Sequence, residues 1–575
     1  MGENLKKLLV YLKEYVLQCF LAPLFKLLEA SFELIVPLVI ASIIDVGIAN
    51  ADTKYIFSRC GVLVLLALVG MIAAITAQYF AAKAATGFGM KLRHALFEKI
   101  QSFSFSDLDS IGTSTLITRM TNDANQVQNG VNLVLRLLLR SPFIVIGAMV
   151  MAFTIDVKCA IIFAVAIFLL SVVVFGIMSY TMPKYNNVQK NLDGITLITR
   201  ENLSGARVIR AFTHEENEVS EFKKRNYALS SLQKAVGRIS ALLNPVTYVI
   251  INIAIVVLVY TGGVRVNVGD LTQGEVVALY NYMSQILIEL IKLANLIVTV
   301  TKALASADRI SAVMGKESSL EKRNNFEKSN SFIEFNDVSL KYKNASDESL
   351  SDISFKADRG EVIGVIGGTG SGKSSLVSLI PHFYDAVSGT VYVNGADVKS
   401  LDTQSLREKI GFVQQKAVLF KGTVRDNMKW GRKDATDEEI ISALKTACIY
   451  DAVKEKGGLD FYIEQNGSNL SGGQKQRLSI ARALVRQPEI LILDDSFSAL
   501  DFATEARLRD GIYSLSYKPA VFIVSQRASS VMNADRIIVL DDGRCVGYGK
   551  HSELLESCEV YKEIYTSQFG EEAAV

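Results

Sequence analysis

Apolar residues form long runs in the first half of the chain and short runs that alternate with polar residues in the second half. Six runs before residue 305 reach or exceed the length of roughly 20 residues that a helix needs to cross a bilayer. They are Val16–Ile48, Gly61–Ala82, Leu133–Ile155, Ala160–Met182, Pro245–Val264 and Val276–Val300. Because lipid cannot hydrogen-bond a backbone, and six such runs are too many for buried core helices, the pattern predicts an all-α transmembrane domain of six helices over residues 1–314.

Lysine and arginine are concentrated on one side of these spans. Lys6, Lys7 and Lys13 precede the first span, and basic clusters lie in two long loops, Lys83–Leu133 and Pro183–Asn244. The connections after the first, third and fifth spans are short and carry few charges. This asymmetry places the N-terminus and both long loops in the cytoplasm. The loops keep a helical periodicity, which predicts that the spanning helices continue out of the membrane towards a cytoplasmic domain.

Several charged residues fall inside the apolar runs, and two explanations are open for them. Such residues either face the interior of the helix bundle or an aqueous path, or they lie where a helix extends beyond the bilayer. For Glu289 and Lys292, in the sixth span, the sequence favours a cavity-lining or interhelical role. For Arg136 and Arg140 both explanations stand.

The pattern changes after Met314. Residues 315–331 are polar with few large apolar side chains, which is typical of a linker. Residues 332–575 then alternate short β-rich runs with helical ones, which predicts an α/β domain with a mainly parallel sheet. The predicted strands are Ile333–Leu340, Val362–Ile366, Thr390–Val393, Ile490–Leu493 and Val521–Val524, and the predicted helices are Lys373–Pro381, Gln474–Arg486 and Glu505–Ser514.

Composition agrees with an apolar first half joined to an ordinary soluble second half. The 575 residues are 50% hydrophobic, yet 21% are charged, and the net charge is only +2. A near-neutral chain without a basic stripe does not indicate a nucleic-acid partner. The six cysteines have neither CxxC nor zinc-ligand spacing, which favours free thiols in a reducing compartment.

The first chemical motif follows the predicted strand Val362–Ile366. It has the pattern G-x-x-x-x-G-K-S/T of a phosphate-binding loop and consists of Gly367, Gly368, Thr369, Gly370, Ser371, Gly372, Lys373 and Ser374. Glycines allow backbone N–H groups to close on phosphates, and the following helix start adds a favourable dipole. Lys373 is expected to reach the β- and γ-phosphates of ATP, and Ser374 to hold Mg²⁺.

A second motif, Leu491–Asp494, is an apolar strand that ends in a carboxylate. An Asp in this position helps to hold Mg²⁺ in phosphate-loop enzymes. The motif alone is weak, because apolar strands often end in Asp, but it gains weight from the phosphate loop upstream.

Between these motifs lies the signature segment Leu470–Gln474, LSGGQ, and with it the sequence resembles the ABC ATPase family over essentially its whole length. The layout of six spans and one ATP-binding domain resembles a type I half-exporter, and Glu201–Glu218 is similar to the second cytoplasmic loop of that group. The resemblance implies a RecA-like core with a helical subdomain, and localisation in the cell (inner) membrane with the ATP-binding domain in the cytoplasm.

The resemblance also implies roles for individual residues. In this family two ATP-binding domains pack head to tail, so each ATP lies between one domain's phosphate loop and the other's signature. The residues implied to contact ATP, beyond the phosphate loop, are Tyr342, Ser375, Gln415, Ser471, Gly472, Gly473, Gln474 and Asp501. Among these, Tyr342 is expected to stack on adenine, Gln415 to couple the Mg²⁺ site to the membrane domain, and Asp501 to cross the dimer interface.

Two positions depart from the family pattern, and both bear on hydrolysis. The family has Glu directly after the strand carboxylate, where this chain has Asp495, and it has His in the switch segment, where this chain has Gln526. The shorter Asp side chain is expected to place its carboxylate about 1–1.5 Å short, and a misplacement of about 1 Å can cost on the order of 100-fold in rate. Gln can donate a hydrogen bond to a phosphate, but it cannot be protonated as His can.

The family resemblance implies that the chain is half of an ATP-driven exporter of a hydrophobic or amphipathic compound (a drug, lipid or peptide), with ATP and Mg²⁺ as cofactors. The degenerate catalytic positions beside an intact signature resemble heterodimeric exporters, which implies a second half-transporter that carries Glu and His and holds the faster site. A homodimer with tolerated substitutions is the alternative. An ATP-gated channel or regulatory membrane subunit is a more distant one, as is a soluble ABC ATPase that acts on nucleic acid.

Overall fold

A computed structural model describes residues 8–317, 319–320, 329–343 and 345–570, with the side chain of residue 186 left out. Lys6, Lys7 and residues 318 and 321–328 of the predicted linker lie outside the described residues. The chain forms two compact units, one comprising Met1–Gln101 and Ser114–Lys316 and the other Ser102–Thr113 and Glu317–Val575. The domain boundaries given above stay predictions.

Long helices dominate the first 316 residues. In chain order the α-helices of this part of the chain, long and short, are α1 (Val16–Ser42), α2 (Thr53–Gln101), α3 (Phe105–Ile111), α4 (Thr113–Thr118), α5 (Ala124–Leu137), α6 (Arg140–Ile155), α7 (Val157–Ser204), α8 (Ala206–Ala211), α9 (Glu215–Ala241), α10 (Leu243–Val268) and α11 (Gln273–Met314). Within the described residues, six helical stretches are long and apolar enough to span a membrane, which confirms the six predicted spans. The helices run beyond the apolar runs themselves, as the polar periodicity predicts.

Side-chain caps fix where the spanning helices α7 and α11 begin. The Asp156 side chain accepts a hydrogen bond from the Cys159 N–H at 2.8 Å and starts α7 directly after α6. Thr272 and Glu275 form a reciprocal capping box at the start of α11. Such caps satisfy backbone donors that the first turn of a helix leaves free. They allow the polypeptide to reverse direction within a few residues.

The charged residues of the first unit form an interhelical network centred on Arg140. Its guanidinium donates to both oxygens of Glu33 at 2.8 Å and to Glu289 at 2.6 Å. Glu289 also accepts from Ser141 at 2.7 Å and from Lys292 at 2.8 Å. Arg140 is only 6% exposed, so it is buried between helices rather than lying at a free helix end. The interhelical role expected for Glu289 is the arrangement observed.

The strands of the second unit are β1 (Ile333–Leu340), β2 (Leu350–Ala357), β3 (Val362–Gly367), β4 (Ser388–Val393), β5 (Ala396–Asp397), β6 (Ile410–Val413), β7 (Gly422–Thr423), β8 (Tyr462–Ile463), β9 (Ile490–Asp494), β10 (Ala520–Ser525), β11 (Arg536–Asp541) and β12 (Arg544–Gly549). The main sheet has the order β12-β11-β3-β10-β9-β6 and is parallel except for the β11–β12 hairpin. An antiparallel sheet of order β2-β1-β4-β5 accompanies it.

The remaining helices are α12 (Lys373–Leu379), α13 (Thr403–Glu408), α14 (Val424–Lys429), α15 (Asp437–Thr446), α16 (Tyr450–Glu455), α17 (Gly472–Val485), α18 (Phe502–Tyr513), α19 (Ala528–Val531), α20 (His551–Ser557) and α21 (Glu559–Phe569). Two apolar clusters pack on the strands of the main sheet, one with α17 and α18 and the other with α12 and the antiparallel sheet. This buried sheet presents the ends of β3, β9 and β10 at one edge, where the nucleotide motifs lie.

The five predicted strands are present, each within two residues of its predicted ends, while β2, β5–β8, β11 and β12 were not predicted. Helix α12 ends at Leu379, two residues before the predicted end at Pro381, because proline has no N–H with which to continue the helical hydrogen bonds. Residues 102–113 of the first long loop belong to the second unit, where the Phe105 ring lies 4.3 Å from that of Phe383.

Candidate nucleotide-binding site

The phosphate loop connects β3 to α12 and depends on glycine at its turns. Gly370 and Gly372 have φ values of 87° and 93°, a left-handed conformation that strains other residues. A Cβ on Gly372 would lie 2.6 Å from the Ser349 carbonyl oxygen, and one on Gly367 would lie 2.1 Å from that of Leu540. The loop therefore has the open backbone that phosphate groups require.

Lys373 is buried at the base of this loop. Its Nζ donates to the carbonyl oxygens of Gly367, at 2.8 Å, and Gly368. Burial lowers the pKa of Lys373, and the nearby carboxylates of Asp494 and Asp495 oppose that shift. The ammonium is thus held inside the loop where a phosphate would sit, and an anion there would stabilise its charge.

Ser374 and Asp494 come from different elements and meet at the edge of the sheet. The Ser374 hydroxyl donates to Asp494 Oδ1 at 2.8 Å, which joins the start of α12 to the end of β9. Burial raises the pKa of the Asp494 carboxyl, the charge of Asp495 raises it further, and the Ser374 hydrogen bond opposes both. A hydroxyl and a carboxylate side by side are the hard oxygen donors that suit Mg²⁺ beside a phosphate. The residues present therefore fit this ion.

Asp495 follows directly and has a φ of 45°, in the left-handed region that Asp tolerates better than most residues. Its N–H donates to the Val524 carbonyl at 3.0 Å, and its Oδ2 accepts from Gln415 Nε2 at 3.2 Å. Gln526 lies across from it, and the Thr369 hydroxyl donates to Gln526 Oε1 at 3.4 Å. The two positions that depart from the family pattern therefore lie at the same site as the phosphate loop.

These residues line one cleft of about 690 Å³, which we call the nucleotide cleft. The predicted site residues that line it are Thr369, Gly370, Gly372, Lys373, Ser374, Ser375, Gln415, Asp494, Asp495 and Gln526. Tyr342 adjoins it, since its hydroxyl is 3.0 Å from that of Ser375 and its ring packs edge-on against Tyr384 at 5.0 Å. Ser471, Gly472, Gly473, Gln474 and Asp501 are not among the lining residues.

The signature segment instead presents its own exposed helix start. Ser471 accepts a hydrogen bond from the Gln474 N–H, and the Gln474 side chain accepts from the Ser471 N–H, so the two form a capping box at the first turn of α17. Asp501 caps α18 in a similar way by accepting from the Thr504 N–H at 2.9 Å. This backbone hydrogen bond lowers the pKa of Asp501 and keeps it charged.

Two family models match the chain, one described as the ABC transporter transmembrane region over residues 19–290 and one described as ABC transporter over residues 350–498. The uncharacterized ABC transporter ATP-binding protein YfiB of Bacillus subtilis is 37% identical over 572 residues, which cover 99% of this chain and 100% of that protein. The chain belongs to the ABC transporter family. Its activity is therefore ATP hydrolysis coupled to transport.

Two further comparisons, one with a relative and one with a solved structure, also cover nearly all of this ABC transporter. YgaD of Bacillus subtilis, described as a candidate multidrug export ATP-binding/permease protein, is 31% identical over 98% of this chain and 99% of its own. The solved structure of a bacterial Atm1-family ABC exporter with ATP bound shares the fold, with a TM-score of 0.81 and 22% identity over 97% of this chain and 98% of that one.

Sequence reasoning missed several residues at the cleft of this ABC transporter. The rim includes residues 345–349 and the pair Asp542–Gly543. The Asp-Gly pair was detectable, because it is typical of the tight turn in a β-hairpin, and it forms the turn between β11 and β12. Another missed residue, Gln568 at the end of α21, contacts the backbone on both sides of Arg527. No motif in the sequence pointed to it.

Proposed function

We propose that this chain is the subunit with the slower ATP site in a heterodimeric exporter, and that its signature segment completes the faster site of a different partner chain. The observation that carries the proposal is the combination of Asp495 and Gln526 at the nucleotide cleft with an intact, exposed signature elsewhere on the same unit. Binding residues keep the family pattern, whereas both departures affect hydrolysis.

Asp495 supports slow turnover at this chain's own site. A carboxylate that positions or polarises the attacking water must reach it closely, and Asp is one methylene shorter than the family's Glu. The main chain of Asp495 is held by its bond to Val524, and its carboxylate is already engaged by Gln415 at 3.2 Å. A shortfall of about 1 Å in such a group is worth on the order of 100-fold in rate.

Gln526 supports binding without efficient turnover. Its neutral amide can donate to a terminal phosphate, which retains ATP, but it carries no titratable proton near neutral pH. The 3.4 Å contact with Thr369 keeps the amide beside the phosphate loop. Gln526, Lys373, Ser374 and Asp494 together allow the cleft to hold Mg²⁺ and ATP. Binding of the ATP phosphates supplies the free energy for closure of the two ATP domains.

The signature is placed for a second chain. Ser471 and the first amides of α17 form a capped, exposed helix start of a 14-residue helix, and they do not line the chain's own cleft. Helix starts of this kind bind anions. A partner that brings its own phosphate loop against Ser471 would complete a site whose catalytic residues are the partner's, with Glu and His at the two positions.

The transport substrate is a hydrophobic or amphipathic compound, moved across the cell (inner) membrane with the N-terminus and ATP domain in the cytoplasm. The six spans and the basic loops between them support this orientation. The similarity to YgaD favours drugs among the compounds of this class.

The test is to co-express the chain with candidate half-transporters, purify the complex from membranes, and measure Mg²⁺-dependent ATPase activity of paired variants. In the proposed heterodimer, Ser471→Ala lowers turnover at least about tenfold, because it impairs the faster site. Asp495→Asn lowers it much less, since its own site contributes little. The double variant Asp495→Glu with Gln526→His raises turnover.

A homodimer predicts a different pattern of ATPase activities for the same variants. If the chain purifies alone as an active dimer, Ser471→Ala and Asp495→Asn would affect every site equally and both would abolish turnover. Brisk ATPase activity and transport by the wild-type chain alone would refute the proposal and leave Asp495 and Gln526 as tolerated substitutions.

A further inference from the structure

The switch segment, residues 525–528, connects β10 to α19 and is held from two sides. On the sheet side, the Arg527 N–H donates to Ser525 Oγ at 3.0 Å, and the Arg527 guanidinium donates to the Ser498 carbonyl at 3.2 Å. On the other side lies the C-terminal helix α21, which is not part of any nucleotide motif. The switch segment is therefore fixed partly by a helix that is remote in sequence.

The contact from α21 is a two-point bridge by the Gln568 amide. Its Oε1 accepts from the Ala528 N–H at 2.8 Å, and its Nε2 donates to the Gln526 carbonyl at 2.8 Å. A main-chain N–H can only donate and a carbonyl can only accept, so these partners determine the orientation of the amide. An amide makes both bonds at once because it carries an acceptor oxygen and a donor nitrogen.

The two bonded groups are the ones that set the direction of Gln526. Ala528 opens α19, so its N–H is one of the first-turn donors that a helix leaves without an internal acceptor. The Gln526 carbonyl belongs to the residue whose side chain reaches Thr369 in the phosphate loop. Fixing that carbonyl limits rotation of the Gln526 backbone, and with it the position of the side-chain amide at the nucleotide cleft.

Packing against the ATP domain holds helix α21, and with it Gln568, in place. Tyr561 is fully buried, belongs to the same apolar cluster as Val531 of α19, and lies with its hydroxyl 2.8 Å from His551 Nδ1. Gln568 itself is exposed, so its bonds contribute little to packing. Its position suits control of local geometry better than overall stability.

We propose that Gln568 is a positioning residue of the ATP site, which holds Gln526 where it can donate to the terminal phosphate and so gives the site its preference for ATP over ADP. This inference rests on the proposed role of Gln526 at that phosphate. It adds α21 to the elements that determine nucleotide binding.

The test measures the dissociation constants of Mg²⁺-ATP and Mg²⁺-ADP for the full-length chain in lipid nanodiscs, at low temperature so that ATP persists. Gln568→Leu keeps the side-chain size and removes both bonds, and we expect ATP affinity to fall about three- to tenfold while ADP affinity changes less than about twofold. Gln568→Glu can still accept from Ala528 but cannot donate to Gln526, so its ATP affinity is expected to fall towards that of Gln568→Leu.

The matched control is Ser567→Ala on the same helix, whose hydroxyl donates only to the Ile564 carbonyl one turn earlier. It should leave both affinities unchanged. Gln526→Ala reports the proposed role of Gln526 independently and should lower ATP affinity selectively.

The outcomes separate the two ideas. If Gln526→Ala lowers ATP preference but Gln568→Leu does not, the bridge is irrelevant and the role of Gln526 stands. If neither variant changes the preference, both ideas are wrong. If Gln568→Leu weakens ATP and ADP equally, or Gln568→Glu behaves as wild type, the bridge does not act through Gln526 and the inference is overturned.

Discussion

Replacement of Arg140 by Met tests the charge network of the membrane unit. Arg140 is the shared cation of three carboxylates, with hydrogen bonds to Glu33 and Glu289 and a 3.8 Å ion pair to Glu29. Met has a similar length and apolar character to the arginine stem, so the change removes charge with little loss of volume. Glu289, whose side chain is 4% exposed, would keep only Ser141 and Lys292 as partners.

The expected loss of free energy of unfolding in Arg140→Met follows from the geometry of the network. Two unit charges about 4 Å apart attract by about 4 kcal/mol at an effective dielectric constant of about 20. Part of that loss is offset, because the guanidinium no longer has to be desolvated. Removing one partner of a buried pair costs about 3–5 kcal/mol in free energy of unfolding, mainly because the remaining charge is left uncompensated. We expect Arg140→Met to fall in this range.

Lys292→Met is the matched control, because it removes a cation from the same carboxylate. The Lys292 side chain is 41% exposed, against 7% for Arg140, so its ion pair with Glu289 is less buried and we expect its removal to cost less than that of Arg140. Adding Glu289→Gln to Arg140→Met should recover part of the loss, since the buried uncompensated charge is then removed.

The assay follows thermal unfolding of the full-length protein with a thiol-reactive fluorogenic dye. Cys159 is fully buried in the membrane unit, so a variant that retains only this cysteine reports unfolding of that unit. Arg140→Met should unfold several degrees below the control. Equal unfolding temperatures for Arg140→Met and Lys292→Met would refute the reasoning, because the burial of Arg140 would then add nothing to the cost of losing its charge.

Three further predictions concern the ATP domain. The raised pKa of Asp494 means that the folded state binds the proton of this carboxyl more tightly than the unfolded chain does, so the stability that this proton contributes is lost as the pH rises through that pKa. Asp494→Asn should therefore raise the melting temperature of nucleotide-free protein at neutral pH. It should also abolish the further rise in melting temperature that Mg²⁺-ATP produces. Gly372→Ala, with its Cβ against the Ser349 carbonyl in a left-handed conformation, should cost about 1–2 kcal/mol and reduce ATP binding, measured by equilibrium titration. Asp501→Ala should lower the midpoint of chemical denaturation through loss of the α18 cap, and Asp501→Ser should recover most of that loss.

Much of the fold could be predicted because its signals are local. The six spans follow from the length of apolar runs, and β3, β9 and β10 are buried on both faces, so they appear as continuous apolar stretches. Most of the strands that were not predicted lack this signal, although β11 has it over residues 537–540 and was still missed. Strand β2 alternates buried and exposed residues, and β5, β7 and β8 have only two residues each, too few for a period to be seen.

The candidate site likewise has some residues that a local motif predicts and others that only contacts between distant segments bring together. The phosphate loop is a contiguous motif, so Lys373 could be assigned from spacing, whereas Ser471 of the signature was assigned from the resemblance to the ABC ATPase family. The pairing of Ser374 with Asp494, 120 residues apart, was inferred only as a shared Mg²⁺ role, and the 2.8 Å hydrogen bond required the parallel register of β9 with β10.

What the sequence alone determined was therefore the spanning helices, the five predicted strands and the nucleotide motifs, since hydrophobic period, glycine placement and motif spacing act over a few residues. What only the tertiary structure decided was which distant side chains meet. Arg140 and Glu289 are 149 residues apart, and Gln568 lies 42 residues beyond Gln526. Their contacts depend on how helices pack and on where a C-terminal helix rests. Neither is encoded in a local pattern, because a charged or amide side chain has the same sequence appearance whether its partner is solvent or another residue.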